Sequence, residues 1–414
     1  MKNKYVKIIA YAITPIILFI FSIYYQVQNI PNILFLREDS QPKSGYFIKL
    51  LNQNSPVKNG DSVKVSNLLS NNEQNKKINV SFLGVLPVKT VNVKVVPKEI
   101  KLYPGGQPIG VKLATKGVLV VGFADIEEER GKATSPAALS GVEIGDNILK
   151  VNDRNINSAE DLARAVNDSQ GKELIVTLER KNSQNQIKII PAKSNIDQNY
   201  KLGLWVRDSS AGVGTLTFYD KTTNKFAALG HPITDMDTNN IIKISSGEIV
   251  SSSIISVRKG VRGTPGELKG IFVNEQNTLG NVIKNTECGI FGESSAALTN
   301  DRYNKPLKVG LRNEIKEGEA YILTTIDGNE PEKYSIRIEK LLEQDSPGPK
   351  SMVIRITDPR LLDKTGGIVQ GMSGSPIIQD DKLIGAVTHV LINKPDVGYG
   401  IYIEWMLKDA DIIP

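Results

Sequence analysis

Cysteine and histidine are nearly absent from this sequence. A single cysteine, Cys288, in 414 residues excludes an intrachain disulfide framework and any metal site built from several thiolates. The two histidines, His231 and His389, exclude a histidine-rich metal centre, so chemistry that needs an imidazole has two candidates. A dense basic block is missing too. Lysine and arginine number 51 against 45 acidic residues, and the +6 balance argues against nucleic acid as the main partner. Charged residues at 23% and hydrophobic ones at 40% exclude wholesale disorder. At roughly 150 residues per domain the length predicts two or three domains.

The one long hydrophobic run lies at the N-terminus. Residues 8–25 are apolar apart from Thr14, Ser22 and three tyrosines, and Lys2, Lys4 and Lys7 precede them. Eighteen residues at ~1.5 Å each span about 27 Å, enough for a bilayer core. The lysines predict a cytoplasmic N-terminus and an extracytoplasmic remainder. A cleaved signal peptide is the competing reading; its apolar core is shorter and ends at small residues, whereas Tyr24, Tyr25 and Gln26 follow here. The expected organisation is a cytoplasmic tip and transmembrane signal anchor over 1–28, then a tether and short β region over 29–98. A compact domain over 99–194 and a β-rich domain over 195–414 follow. Residues 39–76 are rich in Asn, Ser, Lys and Gln and read as a flexible stalk. Beyond residue 195 short β-rich stretches alternate with glycine-containing turns and long 3.6-period segments are few, which predicts a sandwich or barrel.

Within 99–194 the loop Pro104-Gly105-Gly106-Gln107-Pro108-Ile109-Gly110-Val111 leads into a strand at Gly117 to Phe123. Ser135-Pro136-Ala137-Ala138-Leu139-Ser140-Gly141-Val142-Glu143-Ile144-Gly145-Asp146 follows, then a strand, an amphipathic helix at Ala159 to Val166 and a closing strand. This order resembles a PDZ domain of the bacterial protease-associated type. Such domains take an extended peptide as an added strand beside the helix. The resemblance implies a groove bordered by Ile109, Gly110 and Val111, with Leu162 and Val166 on the helix wall.

Gly371-Met372-Ser373-Gly374-Ser375-Pro376 carries the strongest chemical signal. A nucleophilic serine needs a tight turn that exposes Oγ, and amide N–H groups that converge where the carbonyl oxygen turns negative. Glycines at 371 and 374 permit the turn, and the amides of Gly371 and Ser373 are the candidate oxyanion hole. The stretch resembles the nucleophile region of chymotrypsin-like serine proteases, which selects Ser373 over Ser375 and implies a double β-barrel. The general base must be an imidazole poised near neutral pH. His231 ends Phe226-Ala227-Ala228-Leu229-Gly230 and precedes Ser373, the order of chymotrypsin-type chains. Asp358, Asp363, Asp235 and Asp237 are the candidate orienting carboxylates. Asp358 lies only fifteen residues before Ser373, unlike the far-upstream acid of chymotrypsin.

An N-terminal anchor, a PDZ domain and a protease with Gly230-His231-Pro232-Ile233-Thr234-Asp235-Met236-Asp237 and Gly366-Gly367-Ile368-Val369-Gln370 before Gly371 resemble the stage IV sporulation protein B peptidases. That resemblance implies a triad of His231, Asp358 and Ser373. It also implies self-cleavage, and cleavage of a membrane-bound regulator complex that restrains an intramembrane metalloprotease, leading to processing of the sigma-K precursor. The implied location is the forespore inner membrane, facing the space between forespore and mother cell, with release after cleavage as a further expectation. PDZ-mediated self-association is implied as well. No metal or organic cofactor is expected. His389, on the predicted cleft-lining strand, is a candidate for substrate selection, and Cys288 reads as a small buried hydrophobe. Two other readings compete: an adaptor with an inactive protease fold, opposed by the intact serine and histidine, and a general quality-control protease, opposed by a PDZ domain that precedes the catalytic one.

Overall fold

The computed structural model describes residues 32–38, 48–52, 76–82, 86–129, 131–344 and 346–414, with isolated helical positions between 14 and 24. Among the described residues no helix is long and apolar enough to cross a membrane. The expected anchor at 8–25 and the expected tether fall mostly outside them.

The chain is mainly β, as the turn-punctuated sequence predicts. A small sheet packs at the N-terminal side, with Ile33–Arg37 parallel to Leu86–Val96. It docks through Phe35, whose ring meets Trp405 edge-on at 5.9 Å, and through Arg37, which donates to the Val309 carbonyl and pairs with Glu314 at 2.8 Å.

The strand Pro108–Phe123 organises the next two units. Its first half pairs with residues 209–215 on one edge and 244–251 on the other. Ile109, Val111 and Leu113 thereby join Leu216, Phe226, Ile249 and Ile290 in the core of the first catalytic unit. Its second half pairs with the strand Asn147–Val151 and with residues 204–207. There Val118 and Val120 join Ile148, Leu162, Val166, Leu174 and Val176 in the core of the PDZ domain. The two domains therefore share a strand.

The PDZ helix, Ala159–Asp168, forms for local reasons. Ser158 caps it by accepting from the Asp161 amide, Glu160 and Asp161 favour its positive end, and Leu162, Ala165 and Val166 bury one face at 3.6-residue spacing. Asp146 of the Gly-Asp-Asn-Ile stretch is 1% exposed and pairs with Arg180 at 2.7 Å while accepting from the Glu143 amide. That contact ties the turn to the closing strand.

The second catalytic unit runs from Leu307–Val309 to Lys394–Tyr402, around a core that includes Ile322, Ile336, Ile354, Ile377, Val387 and Ile401. Its C-terminal helix, Ile403–Asp409, buries Glu404 against Arg312, whose guanidinium lies 4.6 Å from the Trp405 ring centre. Removing one partner strands the other charge in the core. Glu404→Gln is expected to cost about 3–5 kcal/mol, read as a fall in the urea midpoint at unchanged m-value.

Candidate active site

The serine turn is locked between the two catalytic units. Gly371 and Gly374 take φ of +95° and +96°. A Cβ on Gly374 would meet the Thr215 carbonyl oxygen at 2.1 Å and the Leu229 amide nitrogen at 2.6 Å, so glycine there serves both conformation and close approach. Strand Leu204–Asp220 of the first unit clamps the turn. The Thr215 amide donates to the Ser373 carbonyl at 3.1 Å, Thr215 Oγ1 to the Gly371 carbonyl at 2.7 Å, and Thr217 Oγ1 to the Gly374 carbonyl at 2.8 Å.

The two serines of the motif are distinguished by burial. Ser375 is fully buried, its hydroxyl within hydrogen-bonding distance of the Met372 carbonyl and of Thr324 Oγ1. Ser373 is half-buried and lines a cleft of about 290 Å³ with His231, Val213, Gly214, Leu229, Gln370 and Gly371. The amides of Met372, Gly374 and Ser375 are committed to backbone carbonyls. Among the described residues no acceptor is bonded to the amides of Gly371 or Ser373.

His231 follows the strand Lys225–Ala228 and reaches the same cleft. Its Nδ1 lies 2.8 Å from the Pro232 carbonyl oxygen. A carbonyl can only accept, so the proton sits on Nδ1 and the lone pair on Nε2, the tautomer a general base requires. Burial holds the ring below the usual histidine range, opposed by that backbone hydrogen bond, and leaves it neutral at physiological pH. Ser373 Oγ does not yet face it: the hydroxyl donates to the Thr388 carbonyl at 2.8 Å. Proton transfer to His231 needs a rotation of the serine side chain away from that carbonyl.

The third member of the implied triad, Asp358, stands at a helix N-terminus. Asp358 caps the helix Pro359–Thr365, accepting from the Arg360 amide at 3.0 Å, from the Arg360 side chain and from the Ser335 amide. Burial raises its pKa, but the Arg360 hydrogen bond and the two amides win and hold it below the usual carboxylate range. Of the other candidates, Asp363 is exposed on the same helix, where its backbone carbonyl takes Lys259. Asp235 is 1% exposed and organises the loop after the histidine, accepting from the Asp237 and Thr238 amides and from Arg207. Asp237 pairs with Arg207 at 2.8 Å.

Two expectations are corrected. Ile109, Gly110 and Val111 cannot border a peptide groove, because both edges of their strand are already paired. The groove wall facing Leu162 and Val166 is instead Leu202 to Val206, across a cavity of about 710 Å³. Gly203 allows the tight entry: φ is +70° and a Cβ would meet the Ala124 carbonyl at 2.4 Å. The Leu-Gly-Leu run ahead of a strand was the signal available for it. His389 is not among the residues lining the cleft beside Ser373; its ring packs against that of His231, centres 5.2 Å apart. Cys288 is fully buried, and burial pushes its thiol pKa well up, which makes it inert.

Residues 198–407 match the SpoIVB peptidase S55 family and residues 109–190 match the PDZ domain. Together with the serine turn they define a PDZ-bearing serine endopeptidase. The chain belongs to the SpoIVB peptidase family, which is associated with sporulation. Crystal structures of the Rv3671c protease from M. tuberculosis show slight similarity. The active form is 13% identical at a TM-score of 0.30, covering 48% of this chain and 72% of that one. For the inactive form the identity is again 13% and the TM-score 0.30, over 49% and 84%. No curated protein matches the chain.

A fluorophosphonate reacts with an activated serine as Oγ attacks phosphorus, fluoride leaves and the hydroxyl proton passes to the base. Mass spectrometry is expected to find the label on Ser373 and none on a Ser373→Ala chain, whereas Ser375→Ala still labels and melts several degrees lower. Asp358→Ala is expected to lose about 1 kcal/mol of stability through the helix cap and, in the implied triad, to slow labelling about a thousandfold or more. A rate within a few fold of the unaltered chain would remove Asp358 from the triad.

Proposed function

We propose that the chain is a membrane-tethered endopeptidase of sporulation signalling. In this reading Ser373 forms the acyl-enzyme, His231 takes and returns the proton, and the Gly371 and Ser373 amides receive the oxyanion. The observation that carries it is the shared cleft of His231 and Ser373, built where a turn of one β unit is clamped by the other. The double β-barrel of chymotrypsin-like proteases is the architecture proposed for these two units. The apolar, lysine-flanked run at 8–25 supports an anchor with an extracytoplasmic catalytic domain. The polar stretch before residue 76 is the proposed site of self-cleavage.

The family resemblance supports the targets: the chain itself and a membrane-bound regulator complex of an intramembrane metalloprotease, whose release leads to sigma-K maturation. It also supports a location at the forespore inner membrane, on its outer side. The open groove between Leu162 and Leu204 supports docking of an extended peptide by strand addition. An adaptor role is the alternative, and Ser373→Ala separates the two. The endopeptidase reading predicts that a sporulating cell carrying only Ser373→Ala accumulates uncut chain and unprocessed sigma-K precursor; normal processing would contradict it.

Ala163 is exposed at the groove mouth. Ala163→Trp is expected to leave Ser373 labelling unchanged and to slow cleavage of the regulator complex, raising KM rather than lowering kcat. Unaltered KM would remove the groove from substrate docking.

A further inference from the structure

The base is delivered by a strained turn. Leu229 and Gly230, just before His231, take φ of +69° and +72°, and the Gly230 amide donates to the Ala228 carbonyl at 2.9 Å. That bond closes a γ-turn centred on Leu229, a form that is rare and strained when φ is positive. Among the described residues every other non-glycine residue at positive φ is Asn, Asp, Gln or Lys. A large apolar side chain in this conformation is an outlier. It persists only where the surroundings hold it, and such places concentrate at working sites.

What holds Leu229 is the cleft itself. Its amide donates to the Thr215 carbonyl at 3.3 Å, and its Cδ2 fills the space over Gly214, where a Cβ would meet it at 2.1 Å. Glycine at 214 and leucine at 229 are therefore a matched pair. The Leu229 side chain, 6% exposed, lines the cleft that His231 and Ser373 share, with Val111, Val213 and Ile233 as its other large aliphatic residues. None of the lining residues is Asp, Glu, Lys or Arg. The volume, about 290 Å³, falls just below the ~300–1,000 Å³ of small-molecule sites, which suits a side chain rather than a larger group.

The chemistry says which part of a substrate enters. The base returns its proton to the leaving amine, so the new N-terminus departs on the side of His231. The cleft lies on that side. It continues past the base along Pro232, Ile233 and Thr234, while the strand Lys382–Leu391, whose Thr388 carbonyl holds the Ser373 hydroxyl, contributes nothing to its lining. We propose that the cleft receives the side chain of the residue just after the cut, that it selects an uncharged aliphatic one, and that Leu229 sets its depth. The proposal rests on the endopeptidase reading, with Ser373 as nucleophile and His231 as base. A charged side chain would lose its water there and meet no partner, whereas an aliphatic one covers the apolar wall.

The test uses the full chain and a pool of varied peptides with blocked N-termini. Each cut exposes a free N-terminus, and mass spectrometry reads the residue that followed the bond. Val, Ile, Leu and Met are expected there at least about tenfold over Asp, Glu, Lys and Arg, relative to the pool. Leu229→Ala deepens the cleft and is expected to raise Phe and Tyr at that position about tenfold relative to Val, with the residue before the cut unchanged. Val213→Phe narrows the cleft from another strand and is expected to shift the same position toward Gly and Ala, which keeps the test open if the alanine variant fails to fold. Charged residues after the cut at their frequency in the pool overturn the proposal. So does a folded variant that cuts more slowly with its profile unchanged, since that shows packing alone, and so does a shift confined to the residue before the cut. A wild-type chain that exposes no more N-termini than Ser373→Ala overturns the endopeptidase reading itself, and with it this inference.

Discussion

The active site depends on the clamp between strand Leu204–Asp220 and the serine turn. Three hydrogen bonds from Thr215 and Thr217 hold the carbonyls of Gly371, Ser373 and Gly374. They join two β units that also share buried residues, Phe218, Ala227 and Leu268 of the first packing in one core with Ile377 and Val387 of the second. Glycine at 374 is what lets the seam close, since any side chain would strike the Thr215 carbonyl and the Leu229 backbone together. Among the described residues no acceptor is bonded to the amides of Gly371 and Ser373, the two proposed to receive the oxyanion.

The same strand reaches the PDZ groove. Its N-terminal end, Leu204 to Val206, forms the wall opposite the helix, and its centre holds the serine turn. Between them Arg207 grips Asp235 and Asp237 in the loop that follows His231. Asp235 in turn orders that loop through the amides of Asp237 and Thr238. Groove, base loop and nucleophile therefore share one continuous element. The shared strand Pro108–Phe123 runs beside it and binds the two domains together.

Much of this was legible in the residues, and the failures have physical causes. The tight serine turn and the two residues that share its cleft, Ser373 and His231, were readable because each depends on a local turn or on a residue type present twice. The PDZ helix was readable from its amphipathic spacing. The groove at Ile109 to Val111 was not, because a single apolar strand serves two domains and only its pairing partners reveal which half is free. The acid is the hardest member to read: a carboxylate's place depends on where distant strands carry it, and an aspartate before proline also suits a helix cap, which Asp358 forms with Arg360.

The account comes down to which atom attacks and which amides receive the charge. A crystal structure of the phosphonylated enzyme tests this most directly. It should show phosphorus bonded to Ser373 Oγ, the hydroxyl's former place at the Thr388 carbonyl vacated, and a phosphoryl oxygen on the amides of Gly371 and Ser373. Phosphorus on another residue, or a phosphoryl oxygen turned away from those two amides, would contradict the account.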